Sequence, residues 1–203
     1  MKIFAVMGAY DSGAAAEEGV WLPEAGQPVW YEIPDSSISR SGNPFFVPDE
    51  DGVFAAFPSV AYRVCKLGRS VAERFAPRYY DEATIGFSVV DMRRLAALRA
   101  ASMPWTAAVA FDRSCLLGNF MPISAFINYA DFSLTCGEAS LKYQPNRIKV
   151  GIDRVVSLLS ADNTIKTGDI ILGALSRCGI RLMPGSRLRV DAADLNVFDI
   201  NVK

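Results

Sequence analysis

The sequence predicts an α+β domain dominated by strands, with few helices. Three observations carry that expectation. Runs such as "KIFAV", "PVWYEI" and "ATIGFSVV" are short, apolar and rich in β-branched or aromatic residues, and turn residues bound them. The second half alternates in twos: "DFSLTCG" and "ASLKYQ" flank a turn near Gly137 and Glu138, and "MPGSRLRVDAADLNVFDINV" gives a Pro-Gly turn and two or three closing strands. Helix signals are sparse by comparison, and each is short.

In chain order, "KIFAV" is the first strand. "SGAAAEEG" reads as a loop or a ragged helix, because Gly13 and Gly19 weaken helical spacing. "PVWYEI" is a second strand, and "PDSSISRSGNPFFVPDEDG" a long connection filled with turns. Val53 to Cys65 forms the next strand, which Pro58 could interrupt. Ser70, three residues before Glu73, has capping-box spacing for a helix that Pro77 ends. "ATIGFSVV" reads as a central strand, and Asp91 as the cap of "MRRLAALRAA", with Met92, Leu95 and Leu98 on one face. "PWTAAVAFDRSCLLG" is a mixture of loop and strand, "DRVVSLLS" a short helix started by Asp153, and "KTGDIILGAL" a turn and a buried strand.

With 203 residues, 51% of them hydrophobic, the chain is long enough for one substantial core, so a single domain over residues 1–203 is expected. A net charge of −1, with Lys and Arg spread along the chain, points away from nucleic acid. No apolar run approaches the roughly 20 residues that cross a bilayer, and "MKIFAVMGAYD" lacks the features of a signal peptide. Cys65, Cys115, Cys136 and Cys178 lie far apart with no CxxC pair, as expected of reduced thiols in a cytoplasmic protein. The chain has no histidine, which removes Ser-His-Asp and Cys-His catalysis and most zinc sites. A metal would need hard oxygen ligands. The stretch Val53–Tyr62 supplies none as a side-chain carboxylate or amide.

Several stretches, taken in order, resemble the short, single-domain bacterial members of the fumarylacetoacetate hydrolase family. They are "KIFAV", "PDSSI…PFFVPD", "CKLGRSVAERFAPRYYDEATIGF", "MPW", "AFDRSCLLG", "IKTGDIIL" and "PGSRLRV". "RFAPRYYDE" is the most specific, and together they cover nearly the full length. The resemblance implies a mixed β-roll or barrel-like domain of the C-terminal type of that family, usually a homodimer. It also implies a Mg²⁺ or Mn²⁺ site held by three carboxylates, and cleavage, decarboxylation or isomerisation of 2-oxo and 2,4-dioxo acids. A hard cation chelates the oxo-acid and stabilises the enolate formed when the carbon bond breaks.

Carried over position by position, the resemblance places neutral residues where the family keeps its polar set. The Glu-x-Glu pair falls on Phe57 and Ser59, and the third carboxylate on Ser88. The two lysines fall on Ile33 and Val109, and the Thr-Gly-Thr substrate loop on Gly173, Ala174 and Leu175. The histidine falls near Gly13, and its acidic partner near Ala16 or Glu17, where Glu17 could still serve as an acid. A random misalignment would not erase the polar set while leaving the flanking scaffold legible. The expectation is therefore a pseudoenzyme that binds no metal or other cofactor. Its role would be binding a small apolar or weakly anionic ligand, or assembly as a homodimer or with an active homologue.

Some polar groups remain nearby. Asp91 is read as a helix cap, with catalysis the alternative; Arg93 and Arg94 as surface, with an anion contact the alternative. Arg113 is read as a partner of Asp112 or of a substrate carboxylate. Cys115 and Cys178 lack a base, and Trp30 and Trp105 read as core or interface anchors. Asp91, Asp112 and Arg113 are thus the candidates in a rival reading, an active hydrolase, lyase or isomerase of the family with rebuilt, metal-independent chemistry. In a further rival the ligands lie in a shifted register, and Asp49, Glu50 and Asp51 are the acids to examine.

Overall fold

A computed structural model describes residues 1–11, 25–49, 51–193 and 195–203. Two long antiparallel strands carry the architecture. In chain order the elements are β1 (Lys2–Met7), β2 (Val29–Pro34), β3 (Ile38–Arg40), β4 (Phe54–Val64), β5 (Tyr80–Asp91), α1 (Met92–Ala100), α2 (Thr106–Val109), β6 (Cys115–Leu117), β7 (Met121–Pro122) and α3 (Ile123–Phe126). There follow β8 (Phe132–Cys136), β9 (Ala139–Tyr143), α4 (Ile152–Asp162), β10 (Ile170–Leu172), β11 (Ile180–Arg181), β12 (Arg187–Ala192) and β13 (Leu195–Asn201). One sheet runs β2-β1-β10-β4-β5-β6-β3, with β11 beside β4 and β7 beside β5; a second runs β13-β12-β8-β9. The β1–β10 and β3–β6 pairs are parallel and the rest antiparallel, a mixed sheet that curls into a half-barrel.

The period-two pleat of β4 and β5 sorts their side chains between two apolar clusters. Phe54, Ala56, Val60 and Val64 of β4 join Ala83, Ile85, Phe87 and Val89 of β5 in the main core, beneath Phe132, Leu134, Leu188, Val190 and Phe198 of the smaller sheet. Phe57 and Ala61, with Val90, face the other way. There they meet Ile3, Ala5, Met7, Tyr31, Ile33, Cys115 and Leu117, under a cover made by Leu95 of α1 and Ala108 and Val109 of α2. Both faces of the central strands are dry, which is why β4 and β5 read as nearly continuous apolar runs.

Pro58 does not break β4. It pairs with Phe87, and its carbonyl accepts from Ser176 N–H at 2.9 Å on the flank away from β5. That flank lies between the stretches paired with β11 (Ala55–Ala56) and β10 (Ala61–Arg63), so no ladder hydrogen bond is lost there.

Other expectations need correction. The helix expected from Ser70 is a 3-10 helix, Glu73–Arg78, with Pro77 inside it and Ala72 as its uncapped start. Ser70 has φ 51°, and the N–H groups of Ser70 and Val71 donate to the Ser160 carbonyl and hydroxyl at 2.7 and 2.9 Å. Packing on α4 takes the donors that a cap would have held. Asp153 does not start α4: Gly151 does, and Asp153 accepts from the Tyr80 hydroxyl at 2.6 Å. The strand β3 and the helix α2 were not expected. Asp91 does cap α1, accepting from Arg94 N–H at 3.0 Å.

Candidate functional site

The strand pairing gathers the positions singled out above. Phe57 lies directly opposite Ser88, and Ser59 opposite Gly86, so the side chains of Phe57, Ser59 and Ser88 share one face of the β4–β5 ribbon. All three are buried, at 2%, 0% and 0% exposure. Ile33, Val109 and Leu175 belong to the same apolar cluster as Phe57.

The hydroxyls of Tyr31, Ser59 and Ser88 on this face all have partners within the chain. The Ser88 and Tyr31 hydroxyls share a hydrogen bond of 2.6 Å, and the Tyr31 ring stands edge-on to Trp105 with centroids 5.4 Å apart. Burial holds the Tyr31 phenol far above its ordinary range, against the smaller opposite pull of the Ser88 hydrogen bond. Burial alone pushes the thiol of Cys115, which pairs with Ser88 across β5 and β6, up to about 12. The Ser59 hydroxyl donates to the Val60 carbonyl and accepts from Ala174 N–H, both at 3.0 Å.

The Gly173–Leu175 segment is equally committed. Gly173 N–H donates to Val60, Leu175 N–H to Val6 and the following Ser176 N–H to Pro58, each at 2.9 Å. The buried Tyr143 hydroxyl donates to the Ala174 carbonyl at 2.9 Å. A Cβ on Gly173 would lie 3.0 Å from the Tyr62 ring, so this backbone passes where a side chain would crowd. A Cβ on Gly179 would lie 3.0 Å from the ring of Phe57, so the following loop closes over that ring.

These residues do not fit a divalent cation. Phe57 offers no oxygen, and the two serine hydroxyls are neutral and already hydrogen-bonded, whereas Mg²⁺ needs oxygens in near-octahedral array with charge to match. Among the described residues no group of three or more His, Cys, Asp or Glu is placed to hold a metal ion.

Among the described residues, no hydrogen bond or ion pair joins Asp91, Asp112 and Arg113. Asp91 has the opposite strand parity from Ser88, pairs with Phe54 and caps α1. Asp112 is exposed in the turn before β6. Arg113, at φ 65°, reaches the Pro44 carbonyl at 3.3 Å and lies over the Phe46 ring at 5.0 Å instead of pairing with Asp112. Asp49 and Asp51 line a cleft with Asp91, Arg93 and Arg94, away from Phe57 and Ser59. Gly13, Ala16, Glu17 and Glu50 lie outside the described residues. Tyr31, which sequence reasoning missed, had one signal: it precedes Ile33 by two, so both face the same side of β2.

A family model described as the fumarylacetoacetate (FAA) hydrolase C-terminal domain matches residues 2–202. The chain belongs to the fumarylacetoacetate hydrolase family. It is 34% identical over 161 residues to the mitochondrial oxaloacetate tautomerase fahd-1 of Caenorhabditis elegans, spanning 78% of this chain and 74% of that protein. It is 24% identical over 182 residues to the mitochondrial oxaloacetate decarboxylase of Dictyostelium discoideum, spanning 82% and 83%. The fold matches that of fumarylpyruvate hydrolase from Pseudomonas aeruginosa, solved with Mn²⁺ and pyruvate, with a TM-score of 0.85 at 18% identity over 100% of this chain and 89% of the other. A family protein from Yersinia pestis gives 0.84 at 20% identity over 100% and 92%.

Proposed function

We propose that this family member has given up metal-dependent oxo-acid chemistry and keeps the scaffold for binding or assembly, as a homodimer or beside an active homologue. The supporting observation is the β4–β5 face: Phe57, Ser59 and Ser88 are buried together, and both hydroxyls are spent on partners within the chain. Opening that face to water and a cation would break the Tyr31 and Ala174 hydrogen bonds and expose Phe57, whose burial is worth about 1.5–3 kcal/mol. Calorimetric titration of the full chain with Mn²⁺ and Mg²⁺ tests the reading, alongside turnover of oxaloacetate and acylpyruvates. The expected result is no stoichiometric metal binding and no turnover above the metal-free background. One tightly bound cation per chain would overturn it.

A second reading has its own support in the 34% identity to an oxaloacetate tautomerase. Tautomerisation moves a proton and breaks no carbon–carbon bond. Under this reading the chain interconverts a keto acid and its enol without metal, using Asp91, Asp112 or Arg113. Its mark is oxaloacetate enolisation that survives EDTA and falls in Asp112→Asn or Arg113→Gln.

A further inference from the structure

The face discussed above is sealed, but the molecule has an open cleft of about 480 Å³ elsewhere. It lies between α1 and the segment leading into β4, within the size range of small-molecule sites. Its apolar wall is Phe54, Phe111, Ala97 and Ala107, the two phenylalanine rings meeting edge to face with centroids 5.8 Å apart. Its polar wall carries Asp49, Asp51 and Asp91 together with Arg93 and Arg94.

Among the described residues, none of these five charges forms an ion pair with another. What they do bind is backbone. Asp49 accepts from Asp51 N–H at 3.1 Å, Asp91 from Arg94 N–H at 3.0 Å, and Arg93 donates to the Asp51 carbonyl at 3.0 Å. Each of these bonds fixes a wall of the cleft without making an ion pair.

We propose that this cleft binds a small zwitterion, an amino-acid-like molecule with an apolar body. Its ammonium group meets the aspartates, its carboxylate meets the arginines, and its body lies on Phe111, Ala97 and Ala107. A molecule with only one of the two charges answers one set of these side chains and sets itself against the other. The site does not depend on whether the metal chemistry is lost, since it shares none of Phe57, Ser59 and Ser88.

The test is titration of the full chain, followed by calorimetry or by amide chemical shifts, with L-phenylalanine and L-leucine as probes. Phenethylamine and 3-phenylpropanoate serve as single-charge controls. Saturable binding of an amino acid is expected, at least about tenfold tighter than either control. Asp91→Asn keeps an acceptor for the helix cap, so the fold stands, and it weakens binding about tenfold. Arg94→Gln, at an exposed position, does the same. No saturation at millimolar concentration, equal binding of a single-charge control, or affinity unmoved by both variants would overturn the proposal. None of these outcomes bears on the Mn²⁺ titration, so the two readings fail separately.

Discussion

Two neighbouring stretches of the β4–β5 ribbon handle polarity in opposite ways. Around Phe57 and Ser88, the hydroxyls of Tyr31, Ser59 and Ser88 are buried and answered by neighbours, and the surroundings are aliphatic and aromatic. Three residues further along, where Phe54 pairs with Asp91, charged groups of both signs face an open cleft and form no ion pair with one another among the described residues. The strand geometry is the same at both places. The difference lies in what covers it: α1, α2 and residues 173–179 close the first region, while α1 forms only one wall of the second. A closed region contributes stability because its groups are satisfied, and an open region whose charges form no ion pairs is free to bind.

The largest test of that contrast places a charge in the closed region. Phe57→Glu buries a carboxylate with no cation beside it, and an expected loss of about 3–5 kcal/mol would appear as a lower urea midpoint. Burial raises the folded pKa of the new carboxyl above its unfolded value, so the folded state holds the proton longer. The loss is therefore smaller near pH 5 than near pH 8. An unchanged midpoint would mean that the face is open.

A double-mutant cycle sharpens the same point. Tyr31→Phe and Ser88→Ala each strand the other's hydroxyl and are each expected to cost about 1–2 kcal/mol, whereas the double variant costs less than their sum. Strict additivity would deny the 2.6 Å hydrogen bond a role.

Alkaline unfolding gives the next smaller effect. Below the ordinary thiol value of 9.0, Cys115 is protonated in both folded and unfolded chains. Between 9.0 and about 12 the unfolded chain loses that proton while the folded chain keeps it. Stability then falls with rising pH, by at most about 1.4 kcal/mol per pH unit from this group. Tyr31, raised by the same burial, adds to the fall above 10.0. In Cys115→Ala the decline measured between those limits is shallower; an equal slope would place the thiol in water.

In the open region the changes are small. Asp91→Ala removes the cap of α1 and is expected to cost about 1 kcal/mol in thermal unfolding, while Asp91→Asn stays within about 0.5 kcal/mol of the parent. A large loss in Asp91→Asn would make the charge structural.

Much of the fold was legible because its signals are local. Alternation or apolar runs located β1, β2, β4, β5 and the β8–β9 hairpin, and the Asp91 cap located α1. The elements that escaped notice are held by distant partners. β3 is three residues long and exists because Ile38–Arg40 pairs with Cys115–Leu117, and Ser70 loses its capping role to Ser160 on a helix 90 residues away. The candidate site divides in the same way. Offsets from family motifs mark Phe57, Ser59 and Ser88, but the groups that satisfy them, Tyr31 and Ala174, come from other segments. The charged cleft joins residues 48–54, 91–97 and 107–111, and no spacing within the sequence announces it.

Pro58 has a consequence for how the cover is placed. Having no amide hydrogen, it can offer only its carbonyl to the third strand position, and Ser176 takes that single offer. A shift of the segment by two residues would set one of its carbonyls against a position with no donor, so the missing amide hydrogen disfavours that slip. The proline thus works as one key among several: with the bonds to Val60, Val6 and Ser59, it holds the stagger of residues 173–176.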